Sequence, residues 1–352
     1  MNQSEKKDLE TRNLYIDEVR GIAVILMIIG HCIQYGSGNS FLKQQLYFEN
    51  WAFRAIYSFH MPLFALIAGY FLASSLQKRD SCKVFKSRML SLGLPILSWG
   101  TINYIILVLN QGIDFGLTNI IKQIFWNYLG TLWFLWALMC CTFVTIAIHK
   151  FCDGSLSAFG IILFVLLFLP EKYNIQYFCF LYPFFGLGYL WEKSFQGRLQ
   201  KKLYNWQHSL VTGVILLIIW GIMVGFFHQE NYIYQTGFSL IGKKLALLQI
   251  GIDIFRIVIG LVGSCAVLLC YKVMHIRLGN IPWLAWLGQN SMGMYIVNSY
   301  VNLYILKYIC VNSSENLLFS CILSVPVTII CLVLTVCISR NRLLNRLLLG
   351  GR

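Results

Sequence analysis

The chain contains 352 residues, of which 58% are hydrophobic and 12% are charged, and it carries a formal net charge of +14. Soluble domains carry about twice that fraction of charged residues. The composition therefore excludes a soluble globular protein and predicts an all-α bundle that crosses a lipid bilayer several times. The basic residues are spread among loops, so the positive charge indicates orientation in the membrane and no nucleic-acid partner is expected.

Apolar segments that are long enough to cross a bilayer recur about ten times along the chain. We expect transmembrane helices near 20–37, 55–76, 90–109, 130–149, 155–170, 176–191, 208–227, 250–271, 287–308 and 317–338. The segment 155–170 is short for a span, and 176–191 is rich in glycine and aromatic residues. A tilted or partial helix is the alternative for both.

The distribution of basic residues predicts the orientation of the bundle. With the N-terminus in the cytoplasm, the predicted inner regions hold 20 of the 28 lysine and arginine residues. An even number of spans returns the arginine-rich C-terminal tail to the same side. We therefore expect a cytoplasmic segment at 1–19, a membrane domain at 20–338 and a basic cytoplasmic tail at 339–352. The first residues are polar and predict no cleavable signal peptide.

The first predicted span carries an arginine and a histidine on one helical face. The spacing brings Arg20 and His31 within roughly 20° of each other around the helix and roughly 16 Å apart along it. Ionisable side chains within a span usually face the protein interior or a wet cavity, so both are candidates for function. The alternative is that Arg20 marks the cytoplasmic end of the span and His31 reaches the opposite interface. Asp17 is one helical turn before Arg20 and is placed to hold its guanidinium.

A second histidine, His60, lies near the outer end of the second predicted span, at a depth similar to that of His31. Pro62 removes a backbone hydrogen bond nearby and leaves carbonyl groups that only protein or water can satisfy. Function in a wet site is one interpretation, and an interfacial histidine beside a kink is the other.

The loop after the second span is strongly basic. Its cations are Lys78, Arg79, Lys83, Lys86 and Arg88. The cluster is a candidate for binding a nucleotide phosphate at the cytoplasmic mouth of the bundle. The alternative is the ordinary positive charge of a cytoplasmic loop.

Later segments contain further candidates, each with a structural alternative. Trp133 belongs either to a site or to the aromatic belt at the outer interface. Asp253 and Arg256 are three residues apart and either neutralise each other inside the bundle or line the site. The polar residues 289–291 and Asn298 are candidates for the site or for helix capping and interhelical hydrogen bonds.

Several common catalytic motifs are absent from the sequence. There is no serine nucleophile elbow, zinc-ligand cluster, phosphate-binding loop or dinucleotide fingerprint. The twelve cysteines show no metal-ligand spacing, so the sequence predicts neither a metal site nor a disulfide.

Taken in order, these motifs resemble the membrane acyltransferase 3 family, the integral-membrane O-acyltransferases that modify bacterial envelope sugars, and in particular its fucose acetylase-like branch. The resemblance rests on Arg20 and His31, on Phe59-His60-Met61-Pro62-Leu63-Phe64 with Gly69-Tyr70-Phe71, on the basic loop ending at Arg88 and leading to Pro95, on Leu132-Trp133-Phe134-Leu135, and on Leu287-Gly288-Gln289-Asn290-Ser291 with Tyr295. It covers essentially the whole membrane domain. Many relatives have a histidine where this chain has Asn298, so we assign that position no role in proton transfer.

The resemblance implies an O-acyltransferase of the cytoplasmic (inner) membrane. It would transfer an acyl group, usually acetyl, from cytoplasmic acyl-CoA to a hydroxyl of an envelope glycan or glycolipid. His31 would be the general base, with transient acylation of its imidazole as the alternative. Arg20 and the basic loop would bind the phosphates of the donor. His60 would orient the acceptor or assist proton transfer, and the further predicted acceptor contacts are Glu49, Trp51, Trp133 and Asn298.

Two other classes of function fit parts of the sequence. Intramembrane charges also suit a transporter or flippase of a small solute or lipid-linked sugar, although no inverted pair of interrupted helices is recognisable. A structural partner of a polysaccharide synthase is the third possibility. No permanently bound cofactor is expected. The sequence is compatible with a homo-oligomer as well as with a monomer.

Overall fold

The computed structural model describes residues 13–36, 43, 45–111, 117–195, 206–243, 245–306 and 317–351. Over these residues the protein is helical, with fifteen α-helices, short 3-10 and π-helical segments, and no strand. In chain order the helices are α1 Leu14–Gly36, α2 Trp51–Lys78, α3 Ser81–Arg88, α4 Leu94–Gln111, α5 Leu117–Phe125, α6 Trp133–Phe151, α7 Leu156–Leu166, α8 Ile175–Leu190, α9 Trp206–Gly225, α10 Ile233–Thr236, α11 Ala246–Leu278, α12 Pro282–Gln289, α13 Ser291–Val301, α14 Leu317–Arg340 and α15 Arg342–Leu349.

Within the described ranges, six helical segments are long and apolar enough to cross a membrane. They are α2, the continuous stretch Ser81–Leu109 that joins α3 to α4, α6, α9, α11 and Leu318–Arg340 in α14. The predicted helical membrane bundle is therefore confirmed. The total of about ten spans and the cytoplasmic side of both termini stay predictions.

The other predicted spans correspond to helices of a different kind. The segment 20–37 lies in α1, which has 23 residues but begins with charged side chains. The segments 155–170 and 176–191 correspond to α7 with 11 residues and α8 with 16 residues. The segment 287–308 is divided at Asn290 between α12 and α13. A helix that crosses the bilayer needs about 20 residues, so α7 and α8 are each too short to cross it as a single straight helix.

Helix α1 packs against α2, α12 and α14 and carries the first of the candidate residues. Two glycines allow α1 and α12 to touch through their backbones. A side chain at Gly21 would collide with the carbonyl of Leu284, and one at Gly288 would collide with the carbonyl of Asp17. Such close approach is typical of glycines at membrane helix contacts, and it fixes the charged end of α1 against α12.

The carboxylate of Glu18 ties the same end of α1 to α11 and to the start of α12. It accepts hydrogen bonds from the Tyr271 hydroxyl at 3.0 Å, from His275 Nδ1 at 2.6 Å and from the backbone amide of Ile281 at 2.7 Å. Glu18 is fully buried, and a buried carboxylate is tolerated when its oxygens are bonded in this way. Glu18 thereby sets the position from which its neighbours Asp17 and Arg20 project.

Helix α2 packs closely on α8 along its second half. Gly188 of α8 lies against the carbonyl of Leu66, and Gly69 of α2 lies against the carbonyl of Phe185. The start of α2 is capped by Asn50, whose side chain accepts a hydrogen bond from the amide of Phe53 at 3.1 Å. The helix therefore forms a fixed wall between α1 and α8, and this wall carries His60.

Candidate active site

Two cavities enter the bundle from opposite ends of α1 and share two lining residues. The first, which we call the Arg20 cavity, measures about 770 Å³ and includes Asp17 and Arg20 in its lining. The second, the His31 cavity, measures about 630 Å³ and includes His31 and His60. Met61 and Tyr295 line both cavities. We call these two side chains the neck. Arg20 and His31 thus line two neighbouring cavities that have Met61 and Tyr295 in common, and a single passage that joins them stays a prediction.

Arg20 is held at the mouth of its cavity by two elements distant in sequence. Its guanidinium donates to Asp17 Oδ1 at 3.3 Å and to the Ser291 hydroxyl at 2.8 Å. Its Cζ lies 5.9 Å from the centre of the Phe71 ring. Gln289 Nε2 lies 3.5 Å from the second Asp17 oxygen. The side chain remains 21% exposed, so the charge can reach an anion in the cavity.

The basic loop is divided between two places. Lys78, Arg79 and Arg88 line the Arg20 cavity and join Arg20 in a set of four cations. Lys83 and Lys86 line a separate groove against α15. Helix α3 has eight residues and is capped by Asp80. Because successive residues of a helix turn by about 100°, Arg88 lies on a different face of α3 from Lys83 and Lys86.

A buried carboxylate also lines the Arg20 cavity. Glu192, in the π-helical segment Trp191–Phe195 after α8, is 4% exposed, and its Oε1 accepts a hydrogen bond from the Ser74 hydroxyl at 2.9 Å. Its Oε2 is buried and has no hydrogen bond of ordinary geometry among the described residues, and the Tyr70 hydroxyl is a nearby group that interacts with this carboxylate. An unsatisfied buried carboxylate oxygen is costly, so Glu192 offers a ready acceptor to a ligand with an N–H or O–H group.

The imidazole of His31 is oriented by a buried amide. His31 Nδ1–H donates to Asn298 Oδ1 at 2.5 Å, and Asn302 Nδ2 donates to the same oxygen at 3.0 Å. Asn298 Nδ2 in turn lies 3.7 Å from Cys331 Sγ, which fixes the amide with its oxygen towards His31. Because Nδ1 carries the proton, Nε2 has the lone pair that a general base needs.

His60 is oriented in a parallel way. Its Nδ1–H donates to the backbone carbonyl of Ile56 at 2.8 Å, which leaves Nε2 as an acceptor. The ring of Tyr57 lies between the two histidines, with centroid distances of 6.5 Å to His31 and 4.8 Å to His60. The Tyr57 hydroxyl donates to Gln34 Oε1 at 3.2 Å. The structure thus brings both predicted histidines to one cavity, each with the same nitrogen available.

The rest of the His31 cavity is aromatic and amide-rich. Its aromatic lining is Tyr35, Tyr47, Phe48, Phe53, Tyr57, Trp126, Trp133, Tyr177, Tyr234 and Tyr295, and its side-chain amides are Gln34, Gln45, Asn103, Asn127, Gln235 and Asn302. Among the described residues no aspartate, glutamate, lysine or arginine lines it. Aromatic faces and amides suit a neutral, hydroxyl-rich ligand, since they offer apolar contact together with donors and acceptors.

Residues 228–243 form what we call the capping segment, which closes one side of the His31 cavity through Tyr234 and Gln235. Arg256 of α11 is 2% exposed and holds this segment by its backbone. It donates to the carbonyls of Glu230, Asn231, Tyr232 and Gly237 and to the Thr236 hydroxyl, and it pairs with Asp253 Oδ1 at 2.8 Å. The Asp253–Arg256 pair is therefore a buried structural pair that positions the capping segment and lies outside the His31 cavity lining.

Three predicted acceptor contacts lie elsewhere in the structure. Asn298 is fully buried and lines neither cavity, and its contact is with His31 Nδ1. Glu49 is exposed in the 3-10 segment before α2, and Trp51 is 62% exposed at the start of α2. Trp133 does line the His31 cavity, where its ring packs on Tyr177 with centroids 4.5 Å apart.

Sequence reasoning missed many lining residues, among them Glu192, Tyr57 and Asn127. Glu192 is an acidic residue directly after an apolar run, and that contrast was its only signal. Tyr57 and Asn127 carry no signal of their own, because nothing local in the sequence pairs Tyr57 with Gln34 or Asn127 with Asn103. Asn127 meets Asn103, and Asn103 in turn meets Tyr304, through long-range contacts only.

Within the parts of the chain that the structure describes, neither a metal site nor a disulfide contributes to the two cavities. Among the described residues, no group of histidine, cysteine, aspartate or glutamate side chains is placed to hold a metal ion. None of the described cysteines forms a disulfide bond.

An apolar helical bundle with a cationic cavity at one end and a two-histidine cavity at the other defines a polytopic membrane protein with a two-sided internal site. The family described as "Acyltransferase domain", acyltransferase 3, matches residues 13–338. The chain belongs to this acyltransferase family, as its motifs predicted.

Two curated relatives are similar to the chain. Nodulation protein NolL of Sinorhizobium fredii (strain NBRC 101917 / NGR234) is 29% identical over 196 residues, which cover 53% of this chain and 50% of the relative. Nodulation protein NolL of Mesorhizobium japonicum (strain LMG 29417 / CECT 9101 / MAFF 303099) is 26% identical over 305 residues, which cover 82% of this chain and 76% of the relative. The match therefore spans about half the length of the first relative. No solved structure matches the chain.

Proposed function

We propose that the protein transfers an acyl group, in the first place acetyl, from acyl-CoA bound in the Arg20 cavity to a hydroxyl of a glycan or glycolipid bound in the His31 cavity. The observation that carries the proposal is that Met61 and Tyr295 line both cavities, which places the two cavities side by side. We propose that the thin pantetheine arm passes between these two side chains, while the bulkier sugar stays in the His31 cavity. We further propose that the Arg20 cavity opens to the cytoplasm and that the protein resides in the cytoplasmic (inner) membrane.

Binding of the donor divides between charge and hydrogen bonding. Arg20, Lys78, Arg79 and Arg88 would hold the phosphates of coenzyme A at the mouth of the cavity. The open Oε2 of Glu192 would accept a hydrogen bond from an N–H of the donor, either on its adenine or on its pantetheine arm. The remaining lining towards the neck is largely apolar and includes Met27, Phe64 and Phe134, which suits the uncharged arm.

The chemical step follows from the orientation of His31. The acceptor hydroxyl oxygen attacks the thioester carbonyl carbon while His31 Nε2 takes the hydroxyl proton. The carbon–sulfur bond then breaks, and the departing thiolate of coenzyme A receives the proton from His31. The imidazole ends neutral, as it began, and atoms and charge balance. His60 Nε2 and the Tyr57 ring would orient the acceptor beside His31.

The test is acyl transfer from radiolabelled acetyl-CoA to glycan in membranes that contain the protein. General-base catalysis contributes about 100- to 10,000-fold, so His31→Ala is expected to lower transfer by about that factor while binding of acetyl-CoA persists. His208→Ala is the matched control, because His208 is exposed and lines neither cavity. Transfer by His31→Ala at the rate of the unmodified protein would remove the proposed base. Uptake of a labelled solute without coenzyme A binding would instead support a transporter.

A further inference from the structure

The basic groove is a cavity of about 760 Å³ between α3 and α15, which lie far apart in the chain. Its cations are Lys83 and Lys86 from α3 and Arg342 and Arg346 from α15. Among the described residues no acidic side chain lines the groove. Four positive charges around one concavity without a lining counter-charge favour an anionic ligand.

The walls of the groove are held in place by specific contacts. The carbonyl of Leu348 in α15 accepts a hydrogen bond from Trp99 Nε1 of α4 at 2.9 Å. Leu349 is buried, and Gly350 ends α15 with a left-handed φ of 65°. A side chain at Gly350 would collide with the carbonyl of Ser91. Because the end of α15 touches the backbone between α3 and α4, the groove is a built feature of the fold.

Part of the lining of the groove is apolar. Leu90 and Leu343 line it and are 38% and 65% exposed, respectively. Helix α3 continues directly into α4, and together they form one of the apolar segments long enough to cross the membrane. The groove therefore lies where that segment begins, next to the region that acyl chains occupy. A ligand that combines a negative head group with apolar chains matches both parts of the lining.

We propose that this groove is a binding site for an anionic phospholipid, with the head-group phosphate between the four cations and the first part of an acyl chain along Leu90 and Leu343. The proposal does not depend on the proposed acyl transfer, because the groove is separate from both the Arg20 cavity and the His31 cavity. It assigns Lys83 and Lys86 to the lipid and leaves the donor phosphates to the cations of the Arg20 cavity.

The experiment uses the full chain, purified in a neutral detergent and titrated with phosphatidylglycerol or, as the neutral comparison, phosphatidylcholine with the same acyl chains. The readouts are the thermal unfolding midpoint and the number of lipids retained in native mass spectrometry. We expect a saturable rise of the midpoint and one retained lipid with phosphatidylglycerol only. Removal of two of the four cations in Lys83→Gln/Arg346→Gln should raise the half-saturating lipid concentration about 30-fold.

Two control variants keep the test specific. Lys150→Gln/Lys172→Gln removes two exposed lysines that do not line the groove and should titrate like the unmodified protein. Lys83→Arg/Arg346→Lys keeps the charge and should retain the lipid, which separates loss of the site from misfolding.

Three outcomes would overturn the proposal. Equal effects of phosphatidylglycerol and phosphatidylcholine would show that head-group charge is irrelevant. Inorganic phosphate acting at the same concentration would show a site for a free anion. Weaker binding of acetyl-CoA in Lys83→Gln/Arg346→Gln, with unchanged lipid binding, would return the groove to the donor nucleotide.

Discussion

His31 Nδ1 lies 2.5 Å from Oδ1 of Asn298, an amide that is fully buried and lines neither cavity. This contact gives Asn298 a part in the site that differs from the predicted contact with the acceptor. It is a positioning residue: it selects the tautomer of His31 and holds the ring towards the His31 cavity. Asn302 supports it by donating to the same oxygen at 3.0 Å.

Asn298→Leu is expected to slow acyl transfer because the imidazole loses the acceptor that orients it. A misplacement of about 1 Å can cost a factor of about 100, so kcat should fall between about tenfold and 100-fold. KM for acetyl-CoA should stay unchanged, because Asn298 is remote from the Arg20 cavity. Steady-state kinetics in membranes check both values. Asn298→His, which keeps an acceptor nitrogen, should retain more activity than the leucine variant. Equal loss in both variants, or a rise in KM for acetyl-CoA, would contradict a positioning role.

The stripe that joins Arg20 to His31 could be predicted from the sequence because helical periodicity is a local property. The partners of both residues could not be predicted. Ser291 and Asn298 lie more than 260 positions away along the chain, and no local pattern pairs them with α1. The all-helical fold and the positions of the apolar segments could also be predicted, because composition and segment length are local properties of the sequence.

The division of the basic loop illustrates the limit more sharply. The sequence alone groups the five cations into one cluster. In the structure, however, α3 places Arg88 at the Arg20 cavity and Lys83 and Lys86 at the basic groove. Helix α3 packs against α6 and faces α15 across the basic groove, and these neighbours decide which of its faces meets which cavity. Those contacts are set by tertiary packing, and the sequence of the loop does not contain them.

Glu192→Gln is expected to weaken binding of acetyl-CoA. A hydrogen bond to a charged group contributes about 1.5–3 kcal/mol, so loss of the carboxylate should raise Kd about tenfold or more. Equilibrium binding of labelled acetyl-CoA to the purified protein measures this change. Glu230→Gln is the control, because Glu230 is exposed and lines neither cavity. Tighter binding in Glu192→Gln would show that the carboxylate repels the phosphates and does not accept a hydrogen bond from the donor.

Arg256→Met is expected to release the capping segment and to leave the Asp253 carboxylate buried without its partner. Breaking such a buried pair costs about 3–5 kcal/mol of stability, which a lowered thermal unfolding midpoint would report. Because Tyr234 and Gln235 line the His31 cavity and do not line the Arg20 cavity, KM for the acceptor should rise while binding of acetyl-CoA persists.

The double variant Asp253→Asn/Arg256→Met separates the two effects of Arg256→Met, which are the unpaired charge of Asp253 and the lost hydrogen bonds to the capping segment. It removes the uncompensated charge and should recover part of the stability. It still lacks the bonds from Arg256 to the capping segment, so KM for the acceptor should stay high. Recovery of a normal KM in the double variant would show that the charge, and not the lost bonds, disturbs the cavity.

Met61→Trp is expected to close the neck. Met61 lines both cavities and is 7% exposed in α2, so a larger ring at this position fills the space that a thioester would have to cross. Transfer should fall by about 100-fold or more, since the reacting atoms can no longer approach to about 3–3.5 Å. Binding of acetyl-CoA should be retained, because the cations that would hold its phosphates lie at the other end of the Arg20 cavity.

Overpacking by the larger tryptophan side chain costs about 1–3 kcal/mol of stability, so the thermal unfolding midpoint of Met61→Trp is measured beside its activity. Met61→Leu serves as the control that keeps the neck open. Normal transfer in a folded Met61→Trp protein would mean that the acyl group does not pass between Met61 and Tyr295, and the two cavities would then need a different connection.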